Sequence, residues 1–167
     1  MESYRFGAID GPILTALPFL PEPDGATPMN DDQIERIRES FRVLAPRGGE
    51  VFARFVERLG AGAPALRAVF PKQARSQEFV APCGMIVKNL HRLAAIEFVL
   101  TDIGAKNQRR GILPQHYGVA RDAMIETLRE AVGAEWTEEL AGDWAEAINV
   151  ATSLMIRGAG RARSKAA

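Results

Sequence analysis

From residue 31 to residue 157 the apolar side chains recur every three or four positions, and no stretch alternates as a strand does. That period confines this part of the chain to helices, and the prolines and glycines between runs divide them. Asn30 or Asp31 can cap a helix carrying Ile34, Ile37, Phe41 and Leu44. Pro46 stands where a second helix can start, at a position that tolerates a missing N–H. Its apolar face is Val51, Phe52, Phe55, Val56 and Leu59, and Gly60 and Gly62 end it. Pro64 opens a short helix with Leu66, Val69 and Phe70. Ser76 can cap the next segment, which Pro82 should kink or shorten. A helix over Leu93 to Lys106 carries Ile96, Val99, Leu100 and Ile103. Pro114 opens another with Tyr117, Met124, Ile125, Leu128 and Val132. Thr137 caps the last, whose stripe is Leu140, Trp144, Ile148, Ala151 and Met155. The fold class expected is all-α, with six to eight helices and the last two long ones forming an antiparallel pair.

The 167 residues suffice for one domain with a real core. Lys and Arg together number 21, as do Asp and Glu, and this balance argues against a nucleic-acid binder. The single cysteine, Cys83, excludes an internal disulfide and suits a reducing cytoplasm. No apolar run approaches the roughly 20 residues of a membrane helix, so no membrane partner is expected. The sequence contains no nucleophile-plus-base arrangement, phosphate-cradling glycine loop or metal-ligand cluster, and an enzyme is not expected.

Residues 1–30 form an apolar but proline-broken arm, with Ile13, Leu14, Leu17, Phe19 and Leu20 between prolines. It makes a poor signal peptide, and its apolar content suggests packing against the domain. Residues 31–157 are the helical domain, and 158–167 are expected to be a flexible basic tail.

Several segments resemble the single-domain bacterial haemoglobins and the globin part of flavohaemoglobins. They are Glu39-Ser40-Phe41, Phe55 to Leu59, and Pro64 to Phe70. Ile103-Gly104-Ala105-Lys106-Asn107, followed by Gly111-Ile112-Leu113-Pro114-Gln115-His116-Tyr117, resembles the family's proximal segment. There the family reads Leu-Gly-basic-basic-His, then Gly-Val/Ile-x-Pro-Glu-His-Tyr. Leu128 to Gly133, Glu135-Trp136-Thr137, Trp144 and Met155-Ile156 resemble its two closing helices. The resemblance implies a globin-like fold, with haem (heme) pocket positions at Phe55, Val56, Phe70, Gln77, Val80, Leu100, Asn107, Ile112 and Tyr117.

By the same resemblance the iron-binding histidine is replaced by Asn107, whose carboxamide is a weak donor for haem iron. The family's orienting tyrosine is kept as Tyr117, while its glutamate falls on Ala159 and its distal tyrosine on Val56. Neither of the two histidines, His91 and His116, stands where it would replace the missing ligand. Lys106 is about 100° around the helix from Asn107, and Cys83 follows Pro82. The Arg109-Arg110 pair could meet propionates or another anion. An empty haem-sized void would be costly, at roughly 24 cal/mol per Å³. Bulkier side chains, a shifted helix, the arm or another apolar ligand should therefore fill the space.

The first expectation is thus a module without a cofactor that binds a non-haem ligand or regulates, as globin-like sensor domains do. An apolar small molecule, a partner protein or a second copy of the chain would be its partner. The alternative is a haem-binding globin that takes oxygen or nitric oxide with unusual ligation.

Overall fold

The computed structural model describes residues 29–69 and 76–164, with the side chains of 68, 76–79 and 161–164 left aside. Most of the expected arm and Phe70 lie outside the described residues. Among the described residues there are six α-helices and no strand: α1 (Asp31–Leu44), α2 (Gly48–Gly62), α3 (Ser76–Lys88), α4 (Glu97–Arg109), α5 (His116–Val132) and α6 (Glu138–Ser164). Short 3-10 turns occupy Ala45–Arg47, Pro64–Ala68, Leu90–Ile96 and Gly133–Glu135.

The helix boundaries follow from local chemistry. Asn30 caps α1 in a capping box, its side chain accepting from the Gln33 N–H while Gln33 accepts from the Asn30 N–H, both at 2.9 Å. Thr137 caps α6, its hydroxyl accepting the Leu140 N–H at 3.1 Å. Pro46 sits inside the Ala45–Arg47 turn, and α2 starts two residues later. Pro82 neither shortens nor ends its segment. α3 continues through it to Lys88, held by packing on α1 and α2 that outweighs one lost backbone bond. The helix expected from Leu93 begins only at Glu97, because Leu93 to Ile96 close as a 3-10 turn and Ile96 leaves helical geometry (φ −112°, ψ 13°) as the N-cap. The flexible tail also differs from expectation: α6 runs on to Ser164, with Gly158 and Ala159 buried.

The reason lies in the crossing of α4 and α6, the most extensive helix pair in the fold. A Cβ on Gly104 would overlap the backbone carbonyl of Met155, and one on Gly158 would overlap that of Thr101. The two glycines let the backbones touch, and the pairing of 104 with 155 and 101 with 158 makes the helices antiparallel. The antiparallel partner that α6 packs on most is thus α4 and not α5. Ala159 beside this contact is fully buried at 0% exposure.

A second tie joins α1 to α6. The Trp144 indole N–H donates to the Ser40 hydroxyl at 3.0 Å, and that hydroxyl donates to the Ile37 carbonyl. Buried Asp143 accepts from Arg36 Nε at 2.7 Å, so its charge is paired. The apolar core falls into two clusters. One joins α1, the Leu90–Ile96 turn and α6 around Ile37, Leu93, Leu100 and Trp144. The other joins α2 to the start of α5 around Phe52, Phe55, Leu59, Ile112 and Tyr117.

The α4–α6 contact sets a clear expectation. Gly104→Val or Gly158→Val should lose more than about 3 kcal/mol in chemical denaturation, since backbone must move to admit the side chain. Gly142→Ala, in the same α6 helix with nothing within 4 Å of the added Cβ, should gain roughly 0.5–1 kcal/mol. Equal effects at the two kinds of site would show that the helices do not meet so closely.

Candidate functional site

Between the two clusters lies a cavity of about 1070 Å³ with walls from all six helices. That is at the top of the roughly 300–1,000 Å³ range of small-molecule and cofactor sites. Phe41 and Leu44 of α1, Phe55 of α2, Val80 of α3 and Ile148 and Met155 of α6 make its wall largely apolar. The described side chains do not fill the space, so of the fillers expected, bulkier side chains are not found among the described residues. The arm as a plug falls outside the described residues.

One end of the cavity is fixed by the last turn of α4. The Gly111 N–H donates to the Gln108 carbonyl at 3.1 Å, and the Ile112 N–H donates to the Asn107 carbonyl at 3.0 Å. With Gly111 at φ +89°, this is a Schellman ending, which needs glycine at the left-handed position. It places Asn107 one turn from the helix end and folds Ile112 back beside it, so that both line the cavity. The Asn107 side-chain N–H donates to the Tyr117 hydroxyl at 3.2 Å. Tyr117, the second residue of α5, is only 4% exposed. Burial raises its phenol above the ordinary range, and the Asn107 hydrogen bond opposes that.

The other polar groups on the wall are constrained. His116 is buried and lines the cavity, and its Nδ1 accepts the Leu113 N–H at 3.1 Å. Burial lowers its pKa, so the ring is neutral, with its proton on Nε2. In that tautomer Nε2 is a donor and offers no lone pair to a metal. Cys83 faces the same space, but burial pushes its thiol up to about 12, far from the thiolate that ligates. Lys106 is held by Asp102 at 2.7 Å. Arg110 is exposed at the rim and makes no ion pair among the described residues. Arg121, its side chain 9% exposed, is paired with Asp122 and donates to Asn149 of α6. Among the described residues no group of three His, Cys, Asp or Glu side chains could hold a metal.

Five of the nine pocket positions named from sequence meet here: Phe55, Val80, Asn107, Ile112 and Tyr117. Two do not. Val56 is half-buried and packs on the second cluster, and Leu100, at 0% exposure, is sealed in the first. Phe70 and the Gln77 side chain lie outside the described residues. His116 and Cys83 are wall residues not among the expected pocket positions, and of the Arg109-Arg110 pair Arg110 lines the cavity. The stretch from Gly111 to Tyr117 carried the signal for His116, since a Schellman ending turns the chain back toward the helix it leaves.

The family model described as Globin matches residues 52–155. The chain belongs to the globin family. A flavohemoprotein of Bacillus thuringiensis subsp. konkukian is 27% identical over 133 residues, 77% of this globin and 33% of that protein. A leghemoglobin of Psophocarpus tetragonolobus is 26% identical over 137 residues, covering 75% of this chain and 92% of its own. The solved structure of a bacterial globin from Campylobacter jejuni superposes with TM-score 0.72 at 14% identity, over 81% of this chain and 99% of that one. The globin thus spans about a third of the length of the flavohemoproteins it matches. Flavohemoprotein and leghemoglobin are by name haem proteins, and this overturns the preference for a chain without a cofactor. That preference rested on the iron-side positions, Asn107, Ala159 and Val56, and gave too little weight to the rest of the pocket. Among the described residues no helix is long and apolar enough to cross a membrane.

The buried, neutral His116 ties stability to pH. Its folded pKa is lowered, so the unfolded chain binds the proton more readily below about 6.5. Its contribution should therefore be complete at neutral pH and fall as the pH drops through that value. Denaturation at pH 7 and pH 5 checks this: the loss between them should be smaller in His116→Gln. An identical loss would place the pH dependence elsewhere.

Proposed function

We propose that this globin binds haem in the central cavity and takes a small diatomic ligand such as oxygen or nitric oxide. The observation that carries the reading is the cavity itself. It opens to solvent on one side and holds about 1070 Å³ behind a largely apolar wall, which without an occupant would stay wetted at a cost of roughly 25 cal/mol per Å² of apolar surface. Walls that keep such a volume are shaped around a large apolar occupant, and the related proteins named for haem support haem as that occupant.

The wall suits the macrocycle better than it suits the iron. Phe55, Val80, Ile112 and the α6 side chains would sandwich the ring and exclude water. Arg110, which lines the cavity where Arg109 does not, would meet a propionate. Haem, when bound, supplies the iron that takes the diatomic ligand. On the resemblance given above, Asn107 would take the place of the iron ligand on α4, and its carboxamide is a poor ligand. His116, Lys106 and Cys83 are each committed or protonated as described. The reading is one of ligand binding, with no turnover assigned to this domain.

An absorption spectrum of the protein from haem-replete cells tests the proposal. We expect a Soret band that fades on passage over a haem acceptor, and an Asn107→His variant that retains haem at least about tenfold better. A colourless protein that also fails to take up haem by titration, as wild type and as Asn107→His, would overturn it.

A further inference from the structure

We infer that the central cavity is also a site for a long-chain carboxylate, a free fatty acid, with its tail against the apolar wall and its head at the cationic side chains. It is a second occupant of the cavity, in competition with haem. The inference shares the cavity with the haem reading but does not depend on haem being bound.

The sign of the charge on the wall carries the argument. Among the described residues three charged side chains line the cavity, Lys106, Arg110 and Arg121, and all three are cations. No described Asp or Glu lines it. The acids that pair with two of these cations stand off the wall. Asp102, one turn before Lys106 on α4, holds its ammonium at 2.7 Å. Asp122, the chain neighbour of Arg121 on α5, holds its guanidinium at 2.8 Å. Neither acid is a wall residue. The space is thus bordered by the positive ends of ion pairs whose negative ends lie outside it. Charge of one sign in an apolar wall acts further than it would in water.

The cations are also spread in depth. Arg121 is buried, its side chain 9% exposed. Lys106 and Arg110 are exposed and stand one turn apart at the end of α4. A head group held there keeps water on its outer side, so it does not carry the full cost of burying a charge. Burial keeps His116 neutral, so at neutral pH it adds no charge of its own. The rest of the wall selects the tail. Phe52, Phe55, Val80, Ile86, Ile148 and Met155 offer hydrocarbon over much of the space. A small anion would gain nothing from that surface, and a cationic amphiphile would be repelled. A single-chain carboxylate suits both the apolar volume and its charge.

The test is a calorimetric titration of the full chain, freed of haem by passage over a haem acceptor. The ligands are dodecanoate, its methyl ester and dodecyltrimethylammonium, each below the concentration at which it forms micelles. Wild type should bind one dodecanoate about fivefold more tightly than the ester, the factor for one solvent-accessible ion pair. The ammonium amphiphile should bind most weakly. That ranking should flatten in about 1 M salt, where charges are screened beyond about 3 Å. Decanoate should bind on the order of tenfold less tightly than dodecanoate, as the loss of two buried methylenes requires. Arg110→Glu, at an exposed position, should lose the preference for carboxylate over ester and keep its affinity for the ester. Haem added to the loaded protein should release dodecanoate one for one. Equal affinities for the three head groups, indifference to tail length, or dodecanoate that stays bound beside haem would overturn the inference. A Soret band without fatty-acid binding removes the inference and leaves the haem reading standing. Fatty-acid binding in a chain that takes up no haem removes the haem reading alone. The comparison of head groups on wild type needs no variant to fold.

Discussion

The close passage of α4 over α6 governs much of this molecule. Backbone meets backbone at Gly104 and Gly158, and among the described residues no other helix pair shares so large an interface. Close packing of backbones gains dispersion contacts without ordering long side chains. It also fixes the depth of α4. Asn107 lies three residues beyond Gly104, so the contact that locks the glycine places the carboxamide at the cavity wall. The small residues at 158 and 159 are thus part of the site's geometry without lining it.

From that fixed helix the chain turns back on itself. Gly111 adopts a conformation that side chains resist, Ile112 folds inward, and α5 begins with His116 and Tyr117 against the residue just left. Within eleven residues the sequence thus builds a carboxamide, its tyrosine partner and a neutral histidine on one wall. The histidine serves the backbone, accepting from Leu113, which accounts for a buried imidazole next to a cavity without making it a ligand.

Much of this was legible in the sequence because helices are local. The capping box at Asn30, the Thr137 cap and the three-and-four spacing each need only neighbouring residues, and these elements stand close to where they were expected. The points that were missed depend on contacts between distant segments. Pro82 looks like a breaker until α1 and α2 are packed beside it. Residues 158–164 look like a loose end, since small residues signal a close helix contact only once the partner's glycine is known to face them. Leu100 and Val56 lie on helices that line the cavity, but their rotation about the axis turns them into the packed clusters. Asn107 lies on α4 and lines the cavity, one residue past the helix end expected at Lys106, and the few positions that would face iron were allowed to decide for the whole pocket.

The division of the core into two clusters has a thermodynamic consequence. Leu44, Leu128 and Trp144 of one cluster, and Phe55, Leu59 and Ile112 of the other, line the same cavity. A bound molecule in that gap would be the surface through which the halves pack, and so a structural member of the fold. Occupancy and folding are then linked by mass action, and stability rises with the logarithm of ligand concentration. The melting behaviour of such a domain would record its cofactor supply as much as its sequence.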